Sequence, residues 1–210
     1  MKIIITEEQL KMLVENEKQG KLFPIHSSMV NTYDDMDSFM ETYNEYKDVK
    51  GYVGIRYLGG LFINGNKLYD FCKNLVEVVG ELNVVNNYIV NFPKLKRVGG
   101  DLTLSMTDVR ELPNLEYVGG GLVLRRSKIS ELPKLESVGV SLGLEKSQIN
   151  SLPNLKSVGG YLDLSYSQIK SLPNLEYVGG DLYLENTPLL ENTTKEELIS
   201  KINVGGEIYL

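Results

Sequence analysis

"LPNLEYVGGGLVLRRSKIS" over Leu112–Ser130, "LPNLKSVGGYLDLSYSQIK" over Leu152–Lys170 and "LPNLEYVGGDLYLENTPLL" over Leu172–Leu190 are one phrase written three times. Prolines at Pro93, Pro113, Pro133, Pro153 and Pro173 hold its spacing at 20 residues, without insertion, from Phe92 to Leu189. A fixed period of this length with leucines in register marks a solenoid, because each unit is too small to bury its own apolar face and is stable only when stacked on its neighbours. Residues 51–190 are expected to form that solenoid, residues 1–50 a helical amino-terminal cap, and residues 191–210 a short cap helix followed by a last strand.

Each unit contains a "GGxLxL" segment, as in Gly99–Leu104 and Gly179–Leu184, whose leucines alternate with mostly polar residues. That is the period of a half-buried strand. Strands of successive coils must run parallel and stack about 4.8 Å apart, since each is reached by a full circuit of the chain in the same direction. Eight are read, starting near Gly60, Glu81, Asp101, Gly121, Ser141, Tyr161, Asp181 and Glu207. The coil is expected to be right-handed, as crossovers between parallel strands overwhelmingly are. A small polar residue follows each strand (Asn87, Thr107, Ser127, Ser147, Ser167, Thr187), placed to hydrogen-bond backbone groups freed at a turn. The return path carries Leu-Pro, a leucine and then a valine (Val98, Val118, Val138, Val158, Val178), and the recurrent proline predicts an extended or turn-like back without helices. Every coil keeps at least one glycine at the "GG" site, although Val79 and Val140 each replace one, so a single permissive backbone position is expected to make the bend into the strand.

Both ends of a stack must be closed. Thr6 and Gln9 form a capping-box pattern ahead of a helix with Leu10, Leu13 and Val14 on one face, and a second helix is predicted over 34–47, burying Met36, Phe39, Met40 and Tyr43. A loop with Pro24 and His26 would join them. Thr194 and Glu197 repeat the capping-box pattern before Leu198, Ile199 and Ile202, and a final strand, "VGGEIYL", ends at Leu210, which predicts a complete rather than a truncated fold.

The arrangement "LxLxxSxIxxLPxL", for instance Leu122–Leu135, resembles leucine-rich repeats, with Ser, Thr or Asn where that family has asparagine. The "VGGxLxL" lead-in is closest to the receptor L-domain variant, and the resemblance runs from about Tyr57 to Leu190 plus the last strand. It implies a right-handed coil of parallel strands that presents a binding face to other proteins. The chain departs from the family in having no cysteine caps, no secretion signal and no long convex helices, which argues against an extracellular receptor. The opening "MKIIITEEQLKML" and the ending "GGEIYL" are similar to small repeat proteins encoded by tailed bacteriophages.

The bulk composition narrows the function further. A 42% share of hydrophobic residues is too high for a disordered chain. A net charge of −6, with no Lys/Arg cluster longer than Arg125-Arg126, excludes a nucleic-acid footprint. The amino terminus offers three isoleucines before two glutamates, neither a signal peptide nor a membrane span, so the expected setting is cytoplasmic. The lone Cys72 is expected to fill core space. His26 is the only histidine, and GxSxG, HExxH and CxxC are absent. The repeat strings carboxylates along a line, whereas a calcium site needs them converging. No catalytic residue, cofactor or metal is expected.

Residues 20 apart lie side by side on adjacent strands. The outward ladders read Glu81, Asp101, Gly121, Ser141, Tyr161, Asp181; then Asn83, Thr103, Val123, Gly143, Asp163, Tyr183; then Val85, Ser105, Arg125, Glu145, Ser165, Glu185. The following position runs Met106, Arg126, Lys146, Tyr166, Asn186, where two like charges need a third group to share them. Tyrosines gather among acids in the carboxyl-terminal half, a composition typical of interfaces. The candidate binding face is therefore Tyr161, Asp163, Tyr166, Asp181, Tyr183 and Glu185, joined by Arg125, Arg126, Glu145 and Lys146. The favoured expectation is a non-enzymatic module that holds a protein partner, a host protein if the chain is phage-encoded, as an inhibitor or decoy in host defence. The alternatives are a structural or accessory virion protein and a small-molecule or sugar binder using tyrosine faces.

Overall fold

A computed structural model describes residues 22–26, 40–45, 54–64, 69–85, 91–191 and 193–210. The chain is a parallel β-solenoid of 20-residue coils with few helices, as the repeat predicts. Two sheets run its length. The first has nine strands in the order Leu22–His26, Gly54–Leu58, Leu75–Val78, Arg97–Val98, Tyr117–Val118, Ser137–Val138, Ser157–Val158, Tyr177–Val178 and Asn203–Val204. The second has the eight strands expected: Leu61–Asn64, Leu82–Val85, Leu102–Thr103, Leu122–Val123, Leu142–Gly143, Leu162–Asp163, Leu182–Tyr183 and Ile208–Tyr209. The valine therefore lies in a strand of its own instead of on an irregular return path. Its one inward side chain is followed at once by the corner, whereas Leu102 is followed by a second buried leucine at Leu104, so the valine has no alternation to detect and only pairing with the next coil defines its strand.

The inward residues stack in columns. Leu102, Leu122, Leu142, Leu162 and Leu182 are fully buried and pair in register, as expected. Val98, Val118, Val138, Val158 and Val178 do the same at 0–1% exposure. Burying each leucine contributes about 1.5–3 kcal/mol, more than a typical net hydrogen bond, so these columns supply most of the stability of a coil.

The "GG" pair is the corner between the two strands, and the structure corrects the reason for it. None of Gly99, Gly119, Gly139, Gly159 and Gly179 has a positive φ. A Cβ on Gly139 would instead lie inside the van der Waals envelope of the Gly119 carbonyl oxygen, and the same conflict recurs from Gly99 to Gly205. The corner needs close approach of neighbouring coils more than a permissive angle. A Cβ at the second glycine would also come within 3.0 Å of neighbouring backbone at Gly80, Gly100, Gly120 and Gly160. A side chain is carried at the second position by the half-exposed Val140 and at the first by Val79, and Gly59, one coil before Val79, is the described glycine with a positive φ, 141°.

Two tight turns complete the circuit. At the back, Leu115 N donates to Leu112 O at 3.3 Å and Leu155 N to Leu152 O at 3.4 Å, with proline second in each turn, where its fixed φ fits. Asn114, Asn154 and Asn174 donate side-chain N–H to the proline carbonyl of the preceding coil, each at 2.6 Å. After the second sheet, Ser127 N donates to Leu124 O at 3.1 Å, and the same closure occurs at Ser147 and Ser167. The residue before each polar one is left-handed: Met106, Arg126, Lys146, Tyr166 and Asn186 have φ of 54–58°. Four members of the polar ladder serve the backbone as predicted: Thr107 and Thr187 donate to the carbonyl three residues back at 2.8 Å, and Ser147 and Ser167 accept from the amide two residues on at 3.4 Å. Ser127 departs from the expectation, its buried hydroxyl having no hydrogen-bond partner among the described residues, and Asn87 lies outside them.

The ends depart more from expectation. Residues 40–45 are helical, with Met40 and Tyr43 buried. The predicted helix at Thr6–Val14, together with Met36 and Phe39, lies outside the described residues. Pro24 and His26 belong to a strand, not a loop. That strand is outermost in the first sheet, and proline is tolerated there because an edge strand has an unpaired side. A helix at Tyr69–Asn74, not foreseen, takes the place of the proline turn and buries Phe71 and Cys72. Burial pushes the Cys72 thiol well up, in keeping with a core filler. At the far end the capping box forms: Thr194 Oγ1 accepts from Glu197 N at 3.2 Å, and Thr194 N donates to Glu197 Oε2 at 3.1 Å. The helix Lys195–Lys201 buries Leu198, and Ile202 just beyond it is buried too, whereas Ile199 points to solvent because it is about 100° around the helix from Leu198.

Two pairs of substitutions test this architecture. Gly139→Ala is expected to lower stability by about 1–3 kcal/mol in denaturant melts, as overpacking does, while Val140→Ala stays near neutral. Equal effects would remove the close-approach argument. Arg126→Gly is expected to leave stability within about 1 kcal/mol of the parent or raise it, since relief of the left-handed cost of about 1–2 kcal/mol offsets the entropy glycine adds to the unfolded chain. Arg126→Val should destabilise, and the reverse order would contradict the observed φ.

Candidate interaction face

The outer face of the second sheet divides into two neighbourhoods. In the carboxyl-terminal one, Asp163 pairs in register with Tyr183, and Tyr183 with Tyr209. The Tyr183 and Tyr209 rings stack at 4.7 Å and 5°, and Tyr161 meets Tyr183 edge-on at 6.5 Å and 83°. Along their strands these rings alternate with Asp163, Asp181, Glu185 and Glu207, a checkerboard of rings and carboxylates. None of these four acids forms an ion pair with lysine or arginine among the described residues.

The acids are held by hydrogen bonds instead. Asp181 Oδ2 accepts from Tyr183 Oη at 3.0 Å and Asp181 Oδ1 from Glu207 N at 2.9 Å. Asp163 Oδ1 accepts from Ser165 N at 3.0 Å, and Ser165 Oγ donates to Glu185 Oε2 at 2.6 Å. Asp181 also has a fold role shared with two other coils. Asp101 Oδ1 accepts from Gly121 N at 2.6 Å and Ser141 Oγ from Tyr161 N at 3.2 Å, so a side chain of every second coil satisfies the corner amide of the next.

The second neighbourhood is basic. Glu145 sits 3.9 Å from Arg125 and 2.8 Å from Lys146, and the Lys146 hydrogen bond holds its carboxyl below the usual carboxylate range. Lys146 Nζ also lies 5.3 Å from the centroid of the Tyr166 ring, so ring and carboxylate together carry the charge that the ladder places beside Arg126. Tyr166 thus belongs with the cations and not with the other tyrosines. Arg126 is exposed on its left-handed turn and forms no ion pair among the described residues.

Sequence reading missed two features. Spacing by 20 does not pair Tyr183 with Tyr209, because the last coil, which carries the helix, is 26 residues long. On the first sheet, Arg56 Nε meets Glu77 Oε2 at 2.7 Å and Arg97 lies 4.7 Å over the Tyr117 ring, a ladder whose signal was the 20-residue spacing of 77, 97 and 117. Among the described residues no three of His, Cys, Asp or Glu are placed to hold a metal, and no helix is long and apolar enough to cross a membrane. A groove of about 560 Å³ beside the last helix is lined by residues such as Ile199, Lys201, Val204 and Glu207, with no histidine or cysteine.

The Tyr183 phenol is pushed up, first by its hydrogen bond to Asp181 and then by burial. A tyrosinate absorbance titration should therefore show a late component that Tyr183→Phe removes and Asp181→Asn shifts back towards about pH 10. An unchanged profile in Asp181→Asn would contradict the assigned bond. Neither a protein-family model, a curated protein nor a solved structure matches the chain.

Proposed function

We propose that the chain is a non-enzymatic interaction module that uses the outer face of the second sheet to hold a protein partner. The observation that carries this reading is the Tyr161, Tyr183, Tyr209 array. It stands at 37% and 41% exposure for its outer members, on a sheet fixed by leucine columns, and is bordered by carboxylates with no cation of their own. Large amphipathic rings on a rigid support are what interface hot spots are made of. The likeness to leucine-rich repeats supports the same reading. The likeness of the chain's opening and ending to phage repeat proteins extends it to a host protein in the cytoplasm, with the module acting as inhibitor or decoy in host defence.

Tyr183→Ala is expected to weaken partner binding by about 2 kcal/mol, roughly 30-fold, while costing no more than about 1 kcal/mol of stability from the lost ring contacts. Lys156→Ala, Lys170→Ala and Glu176→Ala, away from this face, should bind normally. The measurement is affinity capture from host lysate with each variant immobilised, followed by titration of the retained protein. Loss of capture by the three distant variants, with Tyr183→Ala unaffected, would place the interface elsewhere.

A further inference from the structure

We infer that the carboxyl-terminal half of the second sheet's face takes an arginine-bearing segment of its partner, an assignment that rests on the strand-face reading above. The protein shows on its own surface how it accommodates a cation. Lys146 lies over the Tyr166 ring and against the Glu145 carboxylate, and Arg97 lies over Tyr117 within the first-sheet ladder that also contains the Arg56–Glu77 pair. Cation, ring and carboxylate occur together in adjacent coils. The coils from Tyr161 to Tyr209 repeat the ring and carboxylate and omit the cation. Tyr183 has Asp181 and Glu185 two residues away on its own strand, Asp163 beside it on the preceding coil and Tyr209 beside it on the next.

Arginine fits this pattern better than lysine. A planar guanidinium extends a ring stack such as Tyr183–Tyr209 while its edge pairs two-pronged with a carboxylate, whereas an ammonium is a point charge that holds its water more tightly. Asp163 and Glu185 each use one oxygen within the fold, and Glu207 uses neither in a side-chain hydrogen bond among the described residues, so acceptor capacity remains. The net charge of −6 attracts any basic peptide weakly. At physiological salt that attraction is screened beyond about 8 Å, and only carboxylates in contact with the ligand distinguish one face from another.

The test titrates labelled peptides of four arginines separated by glycines, with lysine and citrulline counterparts, into the intact chain at physiological ionic strength. The arginine peptide is expected to bind at least threefold tighter than the lysine peptide, and the citrulline peptide not measurably. Binding should fall tenfold or more in Tyr183→Ala and in the double variant Asp163→Asn/Glu185→Gln. The double variant Glu111→Gln/Glu131→Gln, which removes two exposed acids away from both sheets, should change it less than twofold. Equal affinity for lysine, or an equal loss in the Glu111/Glu131 variant, overturns the inference in favour of diffuse charge attraction. Absence of arginine-peptide binding overturns it too. If a captured partner protein still depends on Tyr183 but not on Asp163 and Glu185, the arginine assignment falls and the strand-face reading stands. If that protein is indifferent to Tyr183 as well, both fall.

Discussion

Each coil of this solenoid completes its backbone hydrogen bonds on the coil beside it, and that exchange works only if the two backbones come close at the corner. At the first glycine of the pair, the space a side chain would fill is occupied by the neighbouring carbonyl oxygen. From Gly99 to Gly179 the corner amides donate to the preceding coil, and after the corner Leu102, Leu122, Leu142, Leu162 and Leu182 donate to the following one. The leucine columns supply the energy of stacking, but the glycine column sets the distance at which they stack. A solenoid without it would have the same core composition and a broken ladder.

Much of this was legible in the residues, and the failures have physical causes. The leucine strands announce themselves because inward and outward side chains alternate. The valine strands do not, since no second inward side chain follows two residues on, as Leu124 follows Leu122, and their identity as strands belongs to the neighbouring coil. The glycine corner was found, but glycine has two uses and the sequence does not say which one operates. Absence of positive φ from Gly99 to Gly205 shows that it is proximity. Pro24 reads as a loop marker because proline is excluded from interior strands, and the exception for edges requires knowing where the edge is. The capping box at Thr194 is legible because its four residues contain the whole interaction.

The candidate face was legible as ladders and illegible as neighbourhoods. Simple addition of 20 brought Arg125 to Glu145 and Lys146 to Tyr166. It did not separate Tyr166 from the other tyrosines, which required the left-handed turn that swings this position away from the strand. It also could not tell that Asp181 is engaged twice within the fold while Glu207 is not. Acids at equivalent repeat positions therefore differ in what they have left to offer a ligand.

The alternation of corner partners has a bearing on how the repeats find their order. Units as alike as these offer a folding chain a tempting error, in which one coil is skipped and the next is laid down in its place. The leucine columns would not register the mistake, since every coil supplies the same leucines. The corner acceptors would. Asp101, Ser141 and Asp181 serve Gly121, Tyr161 and Glu207. Skipping one coil would set Gly121 against the Tyr161 amide, or Tyr161 against that of Glu207, and neither has a side-chain oxygen that accepts at that place. The stack thus carries a parity, odd coils giving and even coils receiving, that registers the loss of a giving coil and passes over the loss of a receiving one.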